Sequence, residues 1–245
     1  MKSLARALQT MGEPVPFPYH LPADLRRGDL VLLLAAPKVG KSTIAVDWAL
    51  RVAGRGLPVT YLTTDTKITE QSVRVIANLS GETKTAVKDR LEHWGGWLTG
   101  VGYPLRWAAG GFNSSNVWEL LEAEREFFGR YPELLVVDVA MDLLAGEENA
   151  GNVRKIFRTL HALGAKTGTL ILALHHVKAG DAANGNQFVA MTDGLYQIHQ
   201  IPETVLTAWR SDPGRISMHL AKNRSGMDGQ TVVIPTDFDR ARLIV

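Results

Sequence analysis

The chain has 245 residues, an apolar fraction of 45% and a net charge of +2, and it contains no cysteine. These values indicate a globular protein with one large domain and exclude a disulfide framework or a thiolate metal site. Because 27 basic residues are nearly matched by 25 acidic ones, charge alone does not decide whether the chain binds nucleic acid. No apolar run reaches the roughly 18 residues of a membrane-spanning helix, and no secretory signal pattern opens the chain, so we expect a cytoplasmic protein.

The first 20 residues predict an N-terminal arm. A short helical pattern at Leu4, Leu8 and Met11 precedes a proline-rich connector from Pro14 to Pro18. Residues 21–245 are then expected to form one domain.

From residue 30 onward, apolar runs of strand length alternate with stretches of helical period. The strand-like runs are Leu30–Ala35, Val59–Thr63, Leu134–Val139 and Thr169–Leu174; the helical stretches are Thr43–Ala53, Glu70–Leu79, Val117–Phe128 and Val153–Ala165. This alternation predicts an α/β fold with a mostly parallel, twisted sheet that is covered by helices on both faces. Residues 84–115 carry three tryptophans among glycines and are expected to form an irregular insertion with some helix.

The pattern changes after Pro202. Three short strands, Val205–Arg210, Ile216–Asn223 and Thr231–Pro235, are separated by Asp-Pro-Gly and Asp-Gly turns. Such strands favour an antiparallel C-terminal extension of the sheet.

A phosphate-binding motif follows the first strand. The segment from Ala35 to Ser42 reads AAPKVGKS and fits the Walker A form [A/G]xxxxGK[S/T] in its required strand–loop–helix context. Loop amides and the helix N-terminus surround phosphate oxygens, Lys41 reaches the β- and γ-phosphates, and the hydroxyl of Ser42 ligates Mg²⁺. ATP and Mg²⁺ are therefore the expected cofactors, and the residues expected to bind the nucleotide are Ala35, Ala36, Pro37, Lys38, Val39, Gly40, Lys41, Ser42 and Thr43.

A second carboxylate-bearing motif completes this site. Four apolar residues lead into Asp138, the Walker B form, at the carboxyl end of a predicted buried strand. Parallel strands bind ligands at that edge of the sheet. Asp138 is predicted to hold the metal together with Ser42, and Asp142 is the alternative carboxylate.

Three further segments carry polar residues at or near strand ends, in the order VTYLTTD (59–65), LILALHHVK (170–178) and AKNRSG (221–226). With the two Walker motifs, they resemble the RecA-like ATPases, and within them the DnaB-type and RepA-type hexameric helicases of plasmids and phages. The resemblance covers about residues 20–240. It implies a RecA-like ATPase domain over residues 21–245 and a role in DNA replication.

The resemblance also assigns catalytic roles. The first segment aligns Asp65 with the acidic residue, usually Glu, that polarises the attacking water; Glu70 is a possible contributor, and a capping role is the structural alternative. His176 matches the γ-phosphate sensor, with His175 as the alternative. Arg224 and Lys222 match the cations that enter the neighbouring subunit's ATP site, where a planar cation stabilises the transferred phosphoryl group.

The segment between Lys178 and Leu195 is too long for an ordinary connection and is rich in Gly, Ala and Asn. In RecA-like proteins the loop at this position lines the DNA channel. Lys178, Gln187 and Phe188 are the candidate contacts to single-stranded DNA, although the loop carries little positive charge.

The leading functional hypothesis is an ATP-hydrolysing motor on single-stranded DNA, namely a replicative-type helicase without extra domains that assembles as a homo-oligomer. A hexameric ring is expected, with a filament as the alternative. A recombinase-like or accessory repair ATPase is the second hypothesis. The third is an ATP-binding regulatory or scaffold module with weak hydrolysis, because Asp65 is one methylene shorter than Glu.

Overall fold

The computed structural model describes residues 12–64, 66–177 and 184–245. Within these ranges the chain forms nine strands and six α-helices. The strands are β1 (Leu30–Ala35), β2 (Val59–Thr63), β3 (Leu105–Ala109), β4 (Leu134–Asp138), β5 (Leu170–His176), β6 (Thr204–Asp212), β7 (Arg215–Asn223), β8 (Gln230–Asp237) and β9 (Arg242–Leu243). The helices are α1 (Lys41–Ala53), α2 (Ile68–Ser80), α3 (Lys84–Lys88), α4 (Leu91–Gly100), α5 (Val117–Phe128) and α6 (Ala150–Thr167), and short 3₁₀ turns cover Ala140–Leu143, Met191–Asp193 and Leu195–Gln200.

The described strands form one sheet in the order β3-β2-β4-β5-β1-β6-β7-β8-β9. β1 lies in its middle, with all six residues buried, and pairs in parallel with β5 on one side and β6 on the other. Parallel pairing continues outward through β4 and β2 to β3, while β7, β8 and β9 are added antiparallel at the other end. The predicted mostly parallel sheet with an antiparallel C-terminal extension is confirmed.

The position of β6 corrects one detail of that prediction. Val205–Arg210 is predicted to belong to the antiparallel extension, but β6 runs parallel to β1, with Thr204 opposite Val31 and Ala208 opposite Ala35. A fully buried central strand needs hydrogen-bond partners on both sides, because its backbone N–H and C=O groups have no water to bind. β6 supplies the second partner, so the antiparallel part begins one strand later.

The prediction for residues 84–115 was wrong in part. Two helices, α3 and α4, occupy much of this stretch, but Leu105–Ala109 forms β3, the parallel edge strand beside β2. The strand is only partly buried, since among the described strands it has a neighbour on one side alone. Its sequence therefore lacks the continuous apolar run that marks the central strands.

Residues 12–20 of the predicted arm pack on α1. The indole N–H of Trp48 donates to the carbonyl of Pro16 at 2.7 Å, and the ring of Phe17 lies edge-on to it at 5.0 Å. The buried hydroxyl of Tyr19 donates to the carbonyl of Ile44 at 3.0 Å. The predicted helical pattern at Leu4, Leu8 and Met11 lies outside the described residues.

None of the helices in the described part of the chain is long and apolar enough to cross a membrane.

Candidate nucleotide-binding site

The loop between β1 and α1 presents a helix N-terminus at the carboxyl edge of the parallel strands. α1 begins at Lys41, has no acidic residue in its first turn, and has no side-chain hydrogen bond at its N-cap, Gly40. The amides of a first helical turn and the helix dipole attract anions. The local backbone is therefore suited to a phosphate group.

Gly40 meets two constraints in this loop. Its φ of 121° lies in a region that residues with a Cβ atom rarely adopt. A Cβ atom there would also lie 2.9 Å from Cε1 of Phe238 and 3.2 Å from Cδ1 of Ile216. The glycine of the Walker A pattern thus allows both the turn and the close approach of the Phe238 ring.

Lys41 and His176 meet beneath the loop. The buried ammonium of Lys41 donates to the carbonyl oxygens of Ala35 at 2.7 Å and Ala36 at 3.0 Å, and its Nζ lies 2.9 Å from Nδ1 of His176. An ammonium group can only donate hydrogen bonds, so Nδ1 accepts and the neutral imidazole carries its proton on Nε2. His176 in this state can donate from Nε2 to an oxygen in the cleft.

Asp138 ends β4, directly beside the end of β2. Its carboxylate is buried and accepts a hydrogen bond of 2.7 Å from the hydroxyl of Tyr61. The ring of Tyr61 in turn lies 4.3 Å from the ring of Trp107 on β3. Trp107, to which the sequence assigned no chemistry, therefore supports the residue that holds Asp138.

Asp142, the alternative carboxylate, has a different environment. It is exposed and accepts a hydrogen bond of 2.7 Å from the hydroxyl of Thr64. It does not line the cleft that contains Asp138 and Lys41.

These elements enclose a cleft of about 430 Å³, which is within the usual size range of small-molecule sites. Its described lining residues come from the loop, α1, α2, α3 and several strand ends: Pro37, Lys38, Gly40, Lys41, Ser42, Thr43, Thr66, Arg74, Lys84, Asp138, Val139, His176, Arg210 and Phe238. Five of these side chains are cationic and one, that of Asp138, is a carboxylate. Such a lining attracts a polyphosphate.

Six of the lining residues were missed by the sequence reasoning, namely Thr66, Arg74, Lys84, Val139, Arg210 and Phe238. The guanidinium of Arg210 lies 4.3 Å from the ring centroid of Phe238, and Arg74 donates to the buried amide oxygen of Gln71 at 2.9 Å. No local motif marks these positions. Only the order of the strands brings the end of β6 and the residue after β8 beside the loop.

The chemistry of the cleft fits Mg²⁺. Hydroxyl and carboxylate oxygens are hard ligands, and Mg²⁺ typically takes one or two of them together with substrate phosphates and water. Ser42 and Asp138 line the same cleft and provide that pair.

Two alternative site residues lie elsewhere. His175 is fully buried on β5, its ring lies 5.8 Å from that of Phe157, and burial, followed by the charges of His176 and Lys41, lowers its pKa to about 4. Glu70 is exposed and pairs with Lys88 at 2.9 Å, a hydrogen bond that lowers the pKa of Glu70. Neither side chain lines the cleft.

Arg224 and Lys222 lie at the opposite edge of the sheet. Asn223 at the end of β7 is paired with Thr204 at the start of β6, whereas the phosphate loop adjoins the other end of β6. Arg224 forms an ion pair with Glu203 at 3.2 Å. The structure therefore separates these two cations from the cleft of their own chain.

Two predicted residues, Asp65 and Lys178, lie outside the described residues. Of the remaining candidate nucleic-acid contacts, Gln187 is exposed, and Phe188 is 53% exposed with its ring 5.1 Å from that of Trp209. The same segment contacts the phosphate loop, because a Cβ on Gly185 would lie 2.8 Å from Cγ2 of Val39.

Comparison with protein families identifies the domain. The model of a family described as "AAA domain" matches residues 3–182, which is more than half of the chain. The chain belongs to this family. It is a P-loop ATPase domain, and nucleotide binding follows from that membership.

Two phage proteins are similar to this AAA domain along most of their length. The Gene 65 protein of Mycobacterium phage L5 is 28% identical over 242 residues, covering 88% of this chain and 85% of the phage protein. The Gene 65 protein of Mycobacterium phage D29 is 26% identical over 212 residues, covering 80% of this chain and 89% of the relative.

Solved structures share the fold of the whole AAA domain. The ATPase domain of G40P superposes with a TM-score of 0.83 at 15% identity, covering 100% of this chain and 99% of that domain. A DnaB-like replicative helicase, solved in a study of its interactions with primase, gives a TM-score of 0.82 at 16% identity over 100% of this chain and 67% of its own. The predicted RecA-like fold and the resemblance to DnaB-type proteins are confirmed.

Proposed function

We propose that the protein is an ATP-hydrolysing motor that acts on single-stranded DNA as a replicative-type helicase. The observation that carries the proposal is the cleft that brings together Lys41, Ser42, Asp138 and His176 among four further cations. The fold supports it, since it matches the ATPase domain of G40P over almost its full length and a DnaB-like replicative helicase over 67% of its length. The activity on DNA rests on this likeness.

The first step is the binding of MgATP. Loop amides and the N-terminus of α1 hold the phosphates, and Lys41 exchanges its contacts with the carbonyls of Ala35 and Ala36 for phosphate oxygens. Ser42 and Asp138 would hold Mg²⁺, which would offset the negative charge of the phosphates. Tyr61 keeps the Asp138 carboxylate oriented toward the cleft.

Arg210 and Phe238 provide a surface for the base. The ring of Phe238 packs on Gly40, and the guanidinium of Arg210 lies over that ring. A flat aromatic ring and a planar cation both stack on a nucleobase.

The second step is the attack of water on the γ-phosphoryl group. Asp65 is the proposed residue that polarises this water. His176 donates from Nε2 to a γ-phosphate oxygen and loses this partner on hydrolysis. Because His176 ends β5, immediately before the proposed DNA-contacting loop, the loss is transmitted to that loop.

The transferred phosphoryl group also needs a cation from a second subunit. Arg224 lies at the sheet edge opposite its own cleft, so it is available to a neighbouring chain. This arrangement supports a homo-oligomer, for which a hexameric ring is proposed, with ATP between adjacent subunits.

The decisive experiment measures ATPase turnover with and without single-stranded DNA, together with the mass of the protein in solution and unwinding of a forked duplex. We expect DNA-stimulated turnover, a ring-sized assembly and unwinding, with turnover and unwinding abolished in Lys41→Ala. Filaments on single strands without unwinding would favour the recombinase-like alternative. Turnover that ignores every nucleic acid would refute the motor proposal and favour a regulatory module.

A further inference from the structure

Arg224, the arginine that we propose enters the neighbouring subunit's ATP site, is held by the Gln200–Glu203 turn. This four-residue turn immediately precedes β6. One terminal nitrogen of Arg224, Nη1, donates to Oε1 of Glu203 at 3.2 Å, and the other, Nη2, donates to the carbonyl of Gln200 at 3.1 Å. The backbone N–H of Arg224 also donates to the carbonyl of Glu203 at 3.1 Å. Because each terminal nitrogen donates to a different acceptor, the plane of the guanidinium is fixed as well as its position.

The carboxylate of Glu203 is itself fixed by other parts of the fold. Its Oε2 accepts the backbone N–H of Leu30, the first residue of β1, at 3.0 Å, and its Oε1 lies 2.9 Å from Nε2 of His161 on α6. The Glu203 side chain is only 18% exposed, whereas that of Arg224 is 49% exposed. The central strand and α6 thus set the position of the carboxylate, and the arginine is the more accessible partner.

Lys222 stabilises the turn through hydrogen bonds to backbone carbonyls. Its ammonium donates to the carbonyls of His199 at 3.0 Å, Gln200 at 3.3 Å and Pro202 at 2.7 Å. Burial, and then the charge of Arg224, lowers the pKa of Lys222. Because Lys222 directs three donors at three carbonyls, it stabilises the turn. Arg224 is then the cation that enters the neighbouring subunit's ATP site.

We propose that the Gln200–Glu203 turn is a seat that presents Arg224 to the neighbouring subunit, with Glu203 as a positioning residue. This inference rests on the proposed function of Arg224 in the neighbour's ATP site. The seat uses one N–H on each terminal nitrogen, so further N–H groups of the guanidinium remain for phosphate oxygens. Holding the group in advance lowers the entropic cost of reaching the transition state.

The test is Glu203→Gln, measured by steady-state ATPase kinetics at saturating protein. The substitution keeps the shape and an acceptor oxygen but removes the charge. We expect kcat to fall by about tenfold to 100-fold, as for other small misplacements of a catalytic group. The KM for ATP should change less than threefold, because the cleft lies at the other edge of the sheet. In the Arg224→Ala background, Glu203→Gln should have no further effect.

Arg154→Ala is the matched control. Arg154 donates to the side-chain oxygen of Gln200 at 3.2 Å on the same turn, and within the described residues no hydrogen bond or ion pair joins it to Glu203 or Arg224. Its kcat should stay within twofold of the parent. If Glu203→Gln does not fold, His161→Ala loosens the carboxylate instead, and a kcat loss of about twofold to tenfold is expected.

The outcomes separate the seat from the proposed function. Equal losses of kcat from Glu203→Gln with and without Arg224 would mean a purely structural role and overturn the seat. Normal kcat in Glu203→Gln, with hydrolysis lost in Arg224→Ala, would overturn the seat and leave the arginine's role standing. Normal hydrolysis in Arg224→Ala at saturating protein would refute the arginine's role, and the seat with it.

Discussion

His175 and His176 show how two adjacent histidines acquire different environments. Successive residues of a strand point to opposite faces, so His176 reaches the cleft beside Lys41 while His175 packs near Phe157 in the core. Neither ring nitrogen of His175 has a hydrogen-bond partner within the described structure. A neutral ring in this position carries the cost of two unsatisfied polar atoms.

Stability should therefore fall in acid because of His175. Its folded-state pKa of about 4 lies below the value of 6.5 expected for an exposed histidine, so the unfolded chain binds the proton more tightly. Stability is lost as the pH falls from about 6.5 to about 4, by up to about 3 kcal/mol. Urea unfolding across this range should show that His175→Leu removes this dependence of the free energy of unfolding on pH. The substitution should not destabilise the protein at neutral pH.

His93 provides the control for that measurement. It is exposed on α4, so His93→Leu should keep the acid slope of the parent. If His175→Leu unfolds with the same pH dependence as the parent, the buried ring is not the source of the slope.

At the scale of elements, the end of β6 and the residue after β8 bring Arg210 and Phe238 to the cleft, where we propose that they stack on the base. Phe238→Ala should weaken ATP binding by about fivefold to 100-fold, as expected when a ring that stacks on a base is lost. Direct titration with ATP would measure the loss, and kcat at saturating ATP should change little.

Arg106 and Phe127 form a comparable pair beside the outermost strand, β3. The guanidinium of Arg106 on β3 lies 3.8 Å from the ring centroid of Phe127, an arrangement like that of Arg210 and Phe238 but outside the cleft. Phe127→Ala should leave ATP affinity unchanged. Equal affinities for ATP in Phe238→Ala and Phe127→Ala would contradict the stacking surface.

The sequence predicted the elements whose pattern is local. β1 and β2 were predicted with their observed bounds, because five or six consecutive buried residues leave a largely apolar segment of strand length. β3 escaped prediction since an edge strand is half exposed and carries Arg106. The parallel placement of β6 also could not be predicted, because short strands joined by tight turns read as antiparallel whatever their first neighbour is.

The same limit applies to the site. The Walker segments were recognisable because strand, loop and helix follow one another directly along the chain. Arg74, Arg210 and Phe238 enter the cleft from separate elements, and the contact of Trp107 with Tyr61 depends on the pairing of β3 with β2. Nothing in the spacing of these residues along the chain indicates that they meet.

For the whole molecule, the proposed shared site makes a prediction about mixed assemblies. Lys41→Ala should be inactive alone and Arg224→Ala should keep only a small residual turnover, but equal mixing should restore activity. About one quarter of randomly formed interfaces would then join an intact Lys41 on one subunit to an intact Arg224 on the next. ATPase assays after subunit exchange would measure the recovery.

A mixture of Lys41→Ala with the Lys41→Ala, Arg224→Ala double variant is the control, since none of its interfaces is intact. Absence of recovery in the first mixture, with exchange verified by labelled subunits, would contradict a site shared between chains.

The central strand gives the sheet a further property. β1 carries the phosphate loop after Ala35 at one end, and at the other end the backbone N–H of Leu30 binds Glu203, which holds Arg224. Six buried, extended residues span about 20 Å and have hydrogen-bonded neighbours on both sides. In the proposed ring, such a strand would act as a stiff connection between the ATP sites of two consecutive subunits. A tilt of β1 imposed by ATP at one end would displace Arg224 at the other end, so the subunits would hydrolyse ATP in sequence around the ring.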